Sequence, residues 1–411
     1  MKTINQRGGL SGFTNPVCAL ALGALLAAAV LLSGGGVANA QTEIVIGGTI
    51  AKSGPFQGIV RPFTKLAEAW AERVNAAGGI YLSKLGKSLP VRFIIYDDQT
   101  KPATALKFYE RLAAIDKVDI FIGPFSSFLT NAALQATATH HIPFFMVEAN
   151  DSVMFEKENI WRTTGAAPAQ WEYKRHAEFY ARKGGVKTFA LLARDNLHDT
   201  QAMEGFGDWL RKAGFKVVYQ QSAPKDTKDF SSIILAMKRE NPDVVFIEAL
   251  PPPWNIGFLK QARELGLNPK DVIVGHMPVP VIKAMGSSGE NIVGSLYSFV
   301  GDSADHKEFN AISKTAGFKP WQFSESGIRY NAFRRIKDAL ERAGSLDKEA
   351  VRKAMWETNF SMFNGEVVVK HDQKGYGTLH PWPTQIRNGK HVSLWPLAKG
   401  VKVHEFKNGK W

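Results

Sequence analysis

Short β-branched segments alternate with amphipathic helical segments along most of this chain, and this alternation constrains the fold more than any other feature. From residue 43 the predicted strands cover 43–50, 89–98, 118–123 and 142–148, separated by helical stretches at 65–76, 102–117 and 126–140. Strands separated by helices of this length form parallel sheets, and their crossovers are right-handed in nearly all proteins. The pattern predicts an α/β lobe with a doubly wound, Rossmann-like parallel sheet.

The same alternation starts again near residue 168 and predicts a second lobe of the same kind. The predicted helices of this lobe cover 168–183, 200–213, 230–240 and 254–265, and its strands cover 186–193, 215–221, 243–248 and 271–275. The last third differs, with a strand at 291–299, helices at 323–343 and 346–357, and strands at 366–370, 383–387 and 391–397. No low-complexity linker separates the lobes, so strands that cross between them are expected to form a hinge.

Residues 1–40 have the pattern of a cleavable signal peptide. Lys2 and Arg7 form a basic start, an apolar run covers 17–32, and Ala38-Asn39-Ala40 supplies the small residues that signal peptidase accepts. A retained membrane anchor is the alternative, but the apolar run is shorter than the roughly 20 residues that span a bilayer. We expect export to the periplasm and a mature chain that starts after Ala40.

Composition excludes several classes of protein. The one cysteine, Cys18, lies in the signal peptide, so the mature chain has neither disulfides nor thiol chemistry. The formal net charge of +13 becomes +11 when Lys2 and Arg7 are removed. Because the remaining cations are spread along the whole chain, we expect a solvated surface and no nucleic-acid partner.

Motifs for catalysis and for cofactors are absent from the sequence. It contains no HExxH, no phosphate-binding GxxxxGK[ST] and no GxSxG. Gly205-Phe206-Gly207 lacks the third glycine of a dinucleotide fingerprint and falls within a predicted helix. His140-His141 is expected at a helix end on the surface, since adjacent helical side chains point in different directions. Asp97-Asp98 is expected to cap a turn, although a catalytic or metal-binding pair is the alternative. The sequence therefore predicts no enzyme, no cofactor and no metal site.

Seven short segments, taken in order, resemble the branched-chain-amino-acid type of periplasmic binding proteins, which serve ABC importers. The segments are 44–47 with Ser53-Gly54-Pro55, 72–80, 96–98 with Pro102, 122–127, 161–164, 228–231 and 241–245. The resemblance covers nearly the whole mature chain and implies the type I periplasmic binding fold, in which two lobes joined by three crossovers close on a ligand. It also implies a monomer that delivers its ligand to an ABC permease in the inner membrane.

The resemblance gives approximate boundaries for the two lobes. The amino-terminal lobe is expected to contain residues 41–160 and about 292–362. The carboxyl-terminal lobe is expected to contain about 161–291 and 363–411.

Two loops at the ends of first-lobe strands are the first candidates for ligand contacts. Ser126 and Ser127 stand where a strand gives way to a helix, and free backbone N–H groups at a helix start suit a ligand carboxylate. The alternative is that Ser126 only caps this helix. Glu148, Ala149 and Asn150 end the next strand at the same rim and match the second contact loop of the family.

The second lobe departs from the amino-acid binders of the family. The loop at 194–199, which includes His198, replaces their Tyr-Gly pair, and 275–279 lacks the carboxylate that holds an ammonium group. In place of this carboxylate stand His276, Met277 and, from the preceding unit, the segment Leu250 to Trp254. Glu248 is a candidate counter-ion, although acidic residues more often end a strand without contacting a ligand. These departures argue against a simple α-amino acid as the ligand.

The expected pocket is aromatic and apolar, with a grip for a carboxylate at one end. Phe125 and Phe128 are candidates as well, although core packing explains them equally. The complete set of expected binding residues is Phe56, Ser126, Ser127, Glu148, Ala149, Asn150, His198, Glu248, Trp254 and Met277. We expect a receptor for a small amino-acid-like or aromatic carboxylate. The alternatives are a ligand-sensing subunit of a membrane signalling receptor and an exported amidase or hydrolase-like enzyme.

Overall fold

The structure, a computed structural model, describes residues 41–156, 158–297, 301–363, 367–395 and 404–406, together with Gly8. The predicted signal peptide lies outside these residues apart from that glycine, as do the ends of the strands expected at 291–299, 366–370 and 391–397. None of the helices in the described ranges is both long and apolar enough to cross a membrane.

The first lobe contains a parallel sheet and a small antiparallel hairpin. Its strands are β1 (Ile44–Ile50), β2 (Ile80–Leu82), β3 (Lys87–Leu89), β4 (Val91–Asp97), β5 (Ile120–Ile122), β6 (Phe144–Met146) and β7 (Arg162–Thr164). Its helices are α1 (Gln57–Val60), α2 (Phe63–Ala76), α3 (Pro102–Ala114) and α4 (Ser127–His140). The sheet has the order β4-β1-β5-β6-β7 with every neighbouring pair parallel, and β2 pairs with β3 in the hairpin.

The second lobe is built from a second run of the same alternation. Its strands are β8 (Thr188–Arg194), β9 (Lys216–Ala223), β10 (Val244–Glu248), β11 (Asp271–Val274) and β12 (Val293–Leu296). Its helices are α5 (Lys174–Lys183), α6 (Leu197–Lys212), α7 (Ser231–Glu240), α8 (Pro252–Glu264) and α9 (Val279–Met285). Short 3₁₀ helices occur at Ala169–Trp171 and Gly286–Gly289.

The last third of the chain first returns to the first lobe and then completes the second sheet. The returning elements are α10 (Ala304–Thr315), α11 (Ser326–Ala343), α12 (Lys348–Trp356), β13 (Asn359–Met362) and β14 (Val367–Lys370). The final strands are β15 (Trp382–Arg387) and β16 (Lys390–Ser393). The second sheet has the order β16-β15-β12-β11-β10-β8-β9, with β15 and β16 antiparallel and the others parallel.

Each sheet is covered by helices on both faces. Alternate residues of a strand therefore pack into two separate apolar cores, one on each face. In β1, Ile44 and Ile46 belong to one core of the first lobe, whereas Val45 belongs to the other. In β8, Leu191 and Leu192 are divided in the same way between the two cores of the second lobe. Strands buried on both faces explain the nearly continuous apolar runs in the sequence. The predicted fold class, two doubly wound lobes, is confirmed.

Within the described residues the chain passes between the lobes three times, after β7, after β12 and after β14. At each passage the last strand belongs to the lobe that the chain is leaving, whereas the expected boundaries place it in the other lobe. β7 pairs with β6 in the first sheet, β12 pairs with β11 in the second, and β14 packs on the core of the first lobe through Val367 and Val369. Each crossing thus begins after a strand that is already paired within its own lobe. An apolar strand has the same pattern in either sheet, so its pattern does not reveal its sheet.

Candidate functional site

A cavity of about 600 Å³ lies where the carboxyl ends of the parallel strands of both sheets meet. Its lining from the first lobe includes Phe56, Phe125, Ser126, Ser127, Phe128, Glu148, Ala149, Asn150, Asp151 and Glu325. Its lining from the second lobe and the crossovers includes Glu172, Arg194, Asn196, Leu197, His198, Leu250, Pro251, His276 and Tyr297. Open parallel sheets commonly bind ligands at this edge, so the cavity is the candidate functional site.

The amino terminus of α4 provides polar groups to the cavity. Ser126 precedes the helix with φ of 79°, a left-handed conformation that is uncommon for a residue other than glycine. Its hydroxyl is buried, makes no capping hydrogen bond and has no partner among the described residues. The Ser127 hydroxyl accepts a hydrogen bond of 3.2 Å from the backbone N–H of Asn150. Ser127 therefore links the two predicted contact loops, while Ser126 keeps a free hydroxyl beside a helix start.

Glu148 is held by an arginine on α11. Arg329 Nη2 donates to Glu148 Oε2 over 2.8 Å, and both side chains are almost fully buried. Burial raises the pKa of Glu148 to about 7, although the Arg329 guanidinium opposes the rise. Glu148 is therefore a paired residue of the cavity wall.

Acids and imidazoles alternate in a buried chain at the base of the cavity. His198 Nδ1 lies 2.9 Å from Asp151 Oδ1, and His198 Nε2 lies 3.5 Å from Glu172 Oε2. His276 Nε2 lies 3.2 Å from Glu172 Oε1, and His276 Nδ1 lies 3.2 Å from Glu325 Oε1. We call these five residues the acid–imidazole cluster. Since Asp151 and Glu325 belong to the first lobe and the histidines to the second, the cluster connects the two lobes.

The charges in this cluster shift one another strongly. Burial opposes the charged form of each histidine, but the neighbouring Asp151 and Glu172 raise the pKa of His198 to about 10. Glu172 and Glu325 likewise raise the pKa of His276 well above its usual range, against the effect of burial. Burial also opposes ionisation of Glu172, yet the two histidines lower its pKa to about 2. These pKa shifts favour the protonated form of both imidazoles beside the ionised carboxylate of Glu172.

Aromatic and aliphatic side chains cover another part of the cavity. Phe56 and Phe125 pack edge to face with ring centroids 5.1 Å apart. Phe128, in the first turn of α4, lines the cavity and is 59% exposed, so its ring is not part of the lobe core. Leu197 and Leu250 contribute apolar surface from the second lobe. The cavity thus combines an apolar wall with a helix start and a charged base.

Three of the predicted binding residues, Glu248, Trp254 and Met277, are not among the residues that line the cavity. Glu248 is fully buried and accepts a hydrogen bond from the hydroxyl of Tyr173, and its Oε1 lies 3.6 Å from His276 Nε2, behind the cavity wall. Trp254 packs edge to face on Phe230, with centroids 4.8 Å apart, beneath α8. Met277 is fully buried in the same core. The other seven predicted residues line the cavity.

The sequence analysis missed several residues of the cavity, above all Glu172, Glu325, Tyr297 and Asp151. Glu172 and Tyr297 stand in crossovers between the lobes, where no helix or strand period marks a side chain as functional. Tyr297 donates a hydrogen bond of 3.0 Å to Glu172 Oε1 and so orients this carboxylate. Among the lining residues outside the predicted set, His276 is the one whose position in the sequence indicates the site, because it directly follows a predicted strand end.

Two other polar pairs that the sequence singled out have structural partners. Asp97 accepts hydrogen bonds from the Ser53 hydroxyl and the Gln99 backbone, and Asp98 accepts them from Thr49 and from the Thr100 backbone. Both aspartates thus stabilise the turn after β4. His140 ends α4 and pairs with Glu110, with His140 Nε2 2.6 Å from Glu110 Oε2.

Comparison with known proteins agrees with this architecture. Residues 43–389 match the family model described as periplasmic binding protein. A Leu/Ile/Val-binding protein homolog 7 of Brucella abortus (strain 2308) is 24% identical over 404 residues, covering 92% of this chain and 97% of the relative.

Two solved structures have a similar fold. A solute-binding protein of an ABC transporter from R. palustris, in complex with 4-hydroxybenzoate, has a TM-score of 0.70 and 22% identity, covering 90% of this chain and 98% of that chain. The branched-chain amino acid transporter substrate-binding protein LivJ from Streptococcus pneumoniae, in complex with isoleucine, has a TM-score of 0.71 and 18% identity, covering 85% of this chain and 98% of that chain. With a family model matched over most of its length, the chain belongs to the periplasmic binding protein family.

Proposed function

We propose that this protein is the extracytoplasmic receptor of an ABC importer and captures a small carboxylic acid with an apolar or aromatic body. The observation that carries the proposal is the unpartnered, buried hydroxyl of Ser126, a residue that lines the cavity between the lobes beside the start of α4. A hydroxyl and free backbone N–H groups together suit a carboxylate. The rings of Phe56, Phe125 and Phe128 suit the apolar body.

The remaining parts of the proposal concern location and partners. The protein acts in the periplasm as a monomer after removal of residues 1–40, and it delivers its ligand to a permease of the inner membrane without chemical turnover. The basic leader and the family membership support this assignment. Incubation with each candidate acid, followed by mass spectrometry, checks that the bound molecule is recovered unchanged.

A calorimetric panel tests the proposed cargo. The panel contains benzoate, 4-hydroxybenzoate, L-leucine and L-isoleucine, because proteins of this fold bind 4-hydroxybenzoate or isoleucine. We expect binding of at least one acid and much weaker binding of its neutral amide. Native mass spectrometry of the freshly purified protein identifies a co-purified ligand outside the panel. Equal affinity for an acid and its amide would contradict a carboxylate grip at α4.

Replacing Ser126 with alanine is expected to weaken binding of the acid without affecting the fold. A hydrogen bond to a charged group contributes about 1.5–3 kcal/mol, which corresponds to roughly a 10- to 150-fold loss of affinity. The Ser126 hydroxyl has no partner among the described residues, so its loss should change the melting temperature little. Calorimetry and thermal unfolding of the same preparation measure both effects.

Ser127→Ala is the matched comparison at the neighbouring position. This change leaves the buried N–H of Asn150 without its 3.2 Å acceptor, which costs about 1–3 kcal/mol of stability. Ser126→Ala should therefore lower affinity and Ser127→Ala should lower stability. Unchanged affinity in Ser126→Ala would exclude this hydroxyl from the ligand site.

Ligand binding is also expected to favour a closed arrangement of the lobes. The cavity is lined from both lobes, so a ligand that contacts both walls binds the closed state more tightly and shifts the population towards it. Small-angle X-ray scattering should give a smaller radius of gyration with a saturating acid than without it. An identical scattering profile at saturation would argue against lobe closure.

A further inference from the structure

The base of the cavity contains a group of donors that the ligand proposal does not use. Glu172, His198 and His276 each offer one donor atom, and these atoms all lie within 4.8 Å of one another. Glu172 lies in the first crossover, His198 in the first turn of α6, and His276 two residues after the end of β11, with φ of 59°. All three residues line the cavity. Residues far apart in sequence thus converge at one point.

Each of the two histidines lies at a distance from one oxygen of Glu172 that matches the donor separation of a tetrahedral metal site. Metal–nitrogen and metal–oxygen bonds to Zn²⁺ are about 2.0–2.1 Å, so two donors of a tetrahedron lie about 3.3 Å apart. In the structure, Glu172 Oε1 lies 3.2 Å from His276 Nε2, and Glu172 Oε2 lies 3.5 Å from His198 Nε2. Two imidazoles and one carboxylate form a donor set that suits a divalent transition metal.

Both histidines also have the outer partners that metal-binding histidines have. The Nδ1 atom of His198 lies 2.9 Å from Asp151 Oδ1, and the Nδ1 atom of His276 lies 3.2 Å from Glu325 Oε1. A carboxylate on the outer nitrogen fixes the ring and directs Nε2 towards the metal. Tyr297 holds the third donor residue through its 3.0 Å hydrogen bond to Glu172 Oε1. Each of the three donor residues therefore has an outer partner within 3.2 Å, and for His198 and Glu172 this contact is a hydrogen bond.

Ion pairing alone is the competing explanation, and it leaves buried atoms unsatisfied. Within the described part of the chain, His276 Nδ1, His276 Nε2 and Glu172 Oε2 are buried and have no hydrogen-bond partner. The Nε2 atom of each histidine nevertheless lies within 3.5 Å of a Glu172 oxygen, so the angles and not the distances rule out hydrogen bonds. Glu172 is only 1% exposed, and a buried ion pair without aligned hydrogen bonds does not recover its desolvation cost. A cation between the three residues would satisfy Glu172 Oε2 and His276 Nε2 together, while His276 Nδ1 faces Glu325.

From this geometry we infer that Glu172, His198 and His276 bind a divalent transition-metal ion such as Zn²⁺ at the base of the cavity. Binding displaces the proton from Nε2 of each imidazole, so the two histidines coordinate the ion in their neutral form. The remaining coordination positions face the cavity, where water or another oxygen donor completes the shell. The neighbouring group His198, Asp199 and Glu248 is a weaker candidate, because Arg194 and Asn196 already donate hydrogen bonds to Asp199. The metal site does not depend on the identity of the proposed cargo.

Calorimetric titration with Zn²⁺ tests this inference on chelator-treated mature protein without a histidine tag. We expect about one Zn²⁺ per chain in the wild type and loss of this binding in His276→Gln and His198→Gln. Asp151→Asn removes only an outer partner and should weaken binding about 10- to 100-fold. His140→Gln is the matched control, because this histidine lies at the end of α4, and it should bind Zn²⁺ like the wild type.

A second measurement keeps the result independent of variant folding. Co²⁺ added to the wild type should give the intense visible absorption of a four- or five-coordinate ion, and Zn²⁺ should abolish it. Absence of stoichiometric Zn²⁺ binding in the wild type overturns the metal site, as does equal binding in His276→Gln. The acid panel is also titrated in the presence of a chelator, which keeps Zn²⁺ off the protein. Binding of an acid under these conditions supports the proposed receptor function whether or not the metal site exists.

Discussion

Replacing Arg329 with methionine is expected to lower the free energy of unfolding by about 3–5 kcal/mol at pH 8, because it leaves the buried Glu148 carboxylate without its partner. Arg329 Nη2 lies 2.8 Å from Glu148 Oε2, and the same guanidinium lies 4.9 Å from the ring centroid of Phe63. Methionine retains much of the apolar packing and removes the charge. Urea unfolding followed by circular dichroism measures the change.

This loss should depend on pH with a defined sign. Burial raises the pKa of Glu148 to about 7, with Arg329 opposing and Glu325 adding to the rise. A carboxyl group with a raised pKa destabilises the fold once it is ionised, so stability from its neutral form is complete below about 4.5 and is lost as the pH rises through about 7. Without Arg329 the pKa rises further. The deficit of Arg329→Met should therefore be smaller at pH 5.5 than at pH 8.

Two further variants isolate the ion pair. Glu148→Gln combined with Arg329→Met removes both charges and should recover most of the lost stability. Lys337→Met breaks the exposed pair with Glu341 on the same helix and should cost at most about 1 kcal/mol. A loss in Arg329→Met that is independent of pH and persists in the double variant would point to packing rather than charge.

Gly205→Ala is expected to destabilise the protein by about 3 kcal/mol or more, above the usual cost of overpacking. Gly205 lies within α6 against the 3₁₀ helix Ala169–Trp171, and an added Cβ would lie 2.0 Å from the carbonyl oxygen of Gln170 and 2.4 Å from its Cα. Backbone atoms cannot rotate away as a side chain does. Because Glu172 follows this 3₁₀ helix directly, the same change should displace the acid–imidazole cluster.

Gly207→Ala on the same helix is the control for helix propensity. There the added Cβ would meet the ends of the Gln220 and Arg211 side chains at 3.0 and 3.1 Å, and both can move. Alanine is favoured over glycine in a helix by up to about 1 kcal/mol, which offsets this contact. Thermal and urea unfolding of both variants provide the comparison. Similar stability in Gly205→Ala and Gly207→Ala would contradict a close approach at Gly205.

Local sequence patterns were sufficient to predict the two lobes. The strand runs at 43–50 and 243–248 are apolar on both faces, and the structure buries alternate residues of each sheet in separate cores. The loop with Ser126 could be placed as well, because a strand end followed by a helix start lies at the carboxyl edge of a parallel sheet. The hydrophobic period of an element and the position of a strand end depend on residues that are neighbours in the sequence. Both can therefore be predicted from the sequence alone.

Only the tertiary structure decided which side chains share the cavity. Trp254 and Met277 stand near strand ends as His276 does, yet they pack in the core of the second lobe while His276 lines the cavity. Glu248 lies behind His276, with its Oε1 3.6 Å from His276 Nε2. Glu172 enters the site from a crossover that carries no periodic pattern. Sheet twist, helix packing and the contact between lobes set these directions and distances, and such terms depend on residues far apart in the chain. The sequence by itself therefore determined the two lobes and the edge at which they bind, whereas the packing of one lobe against the other decided the chemistry at that edge.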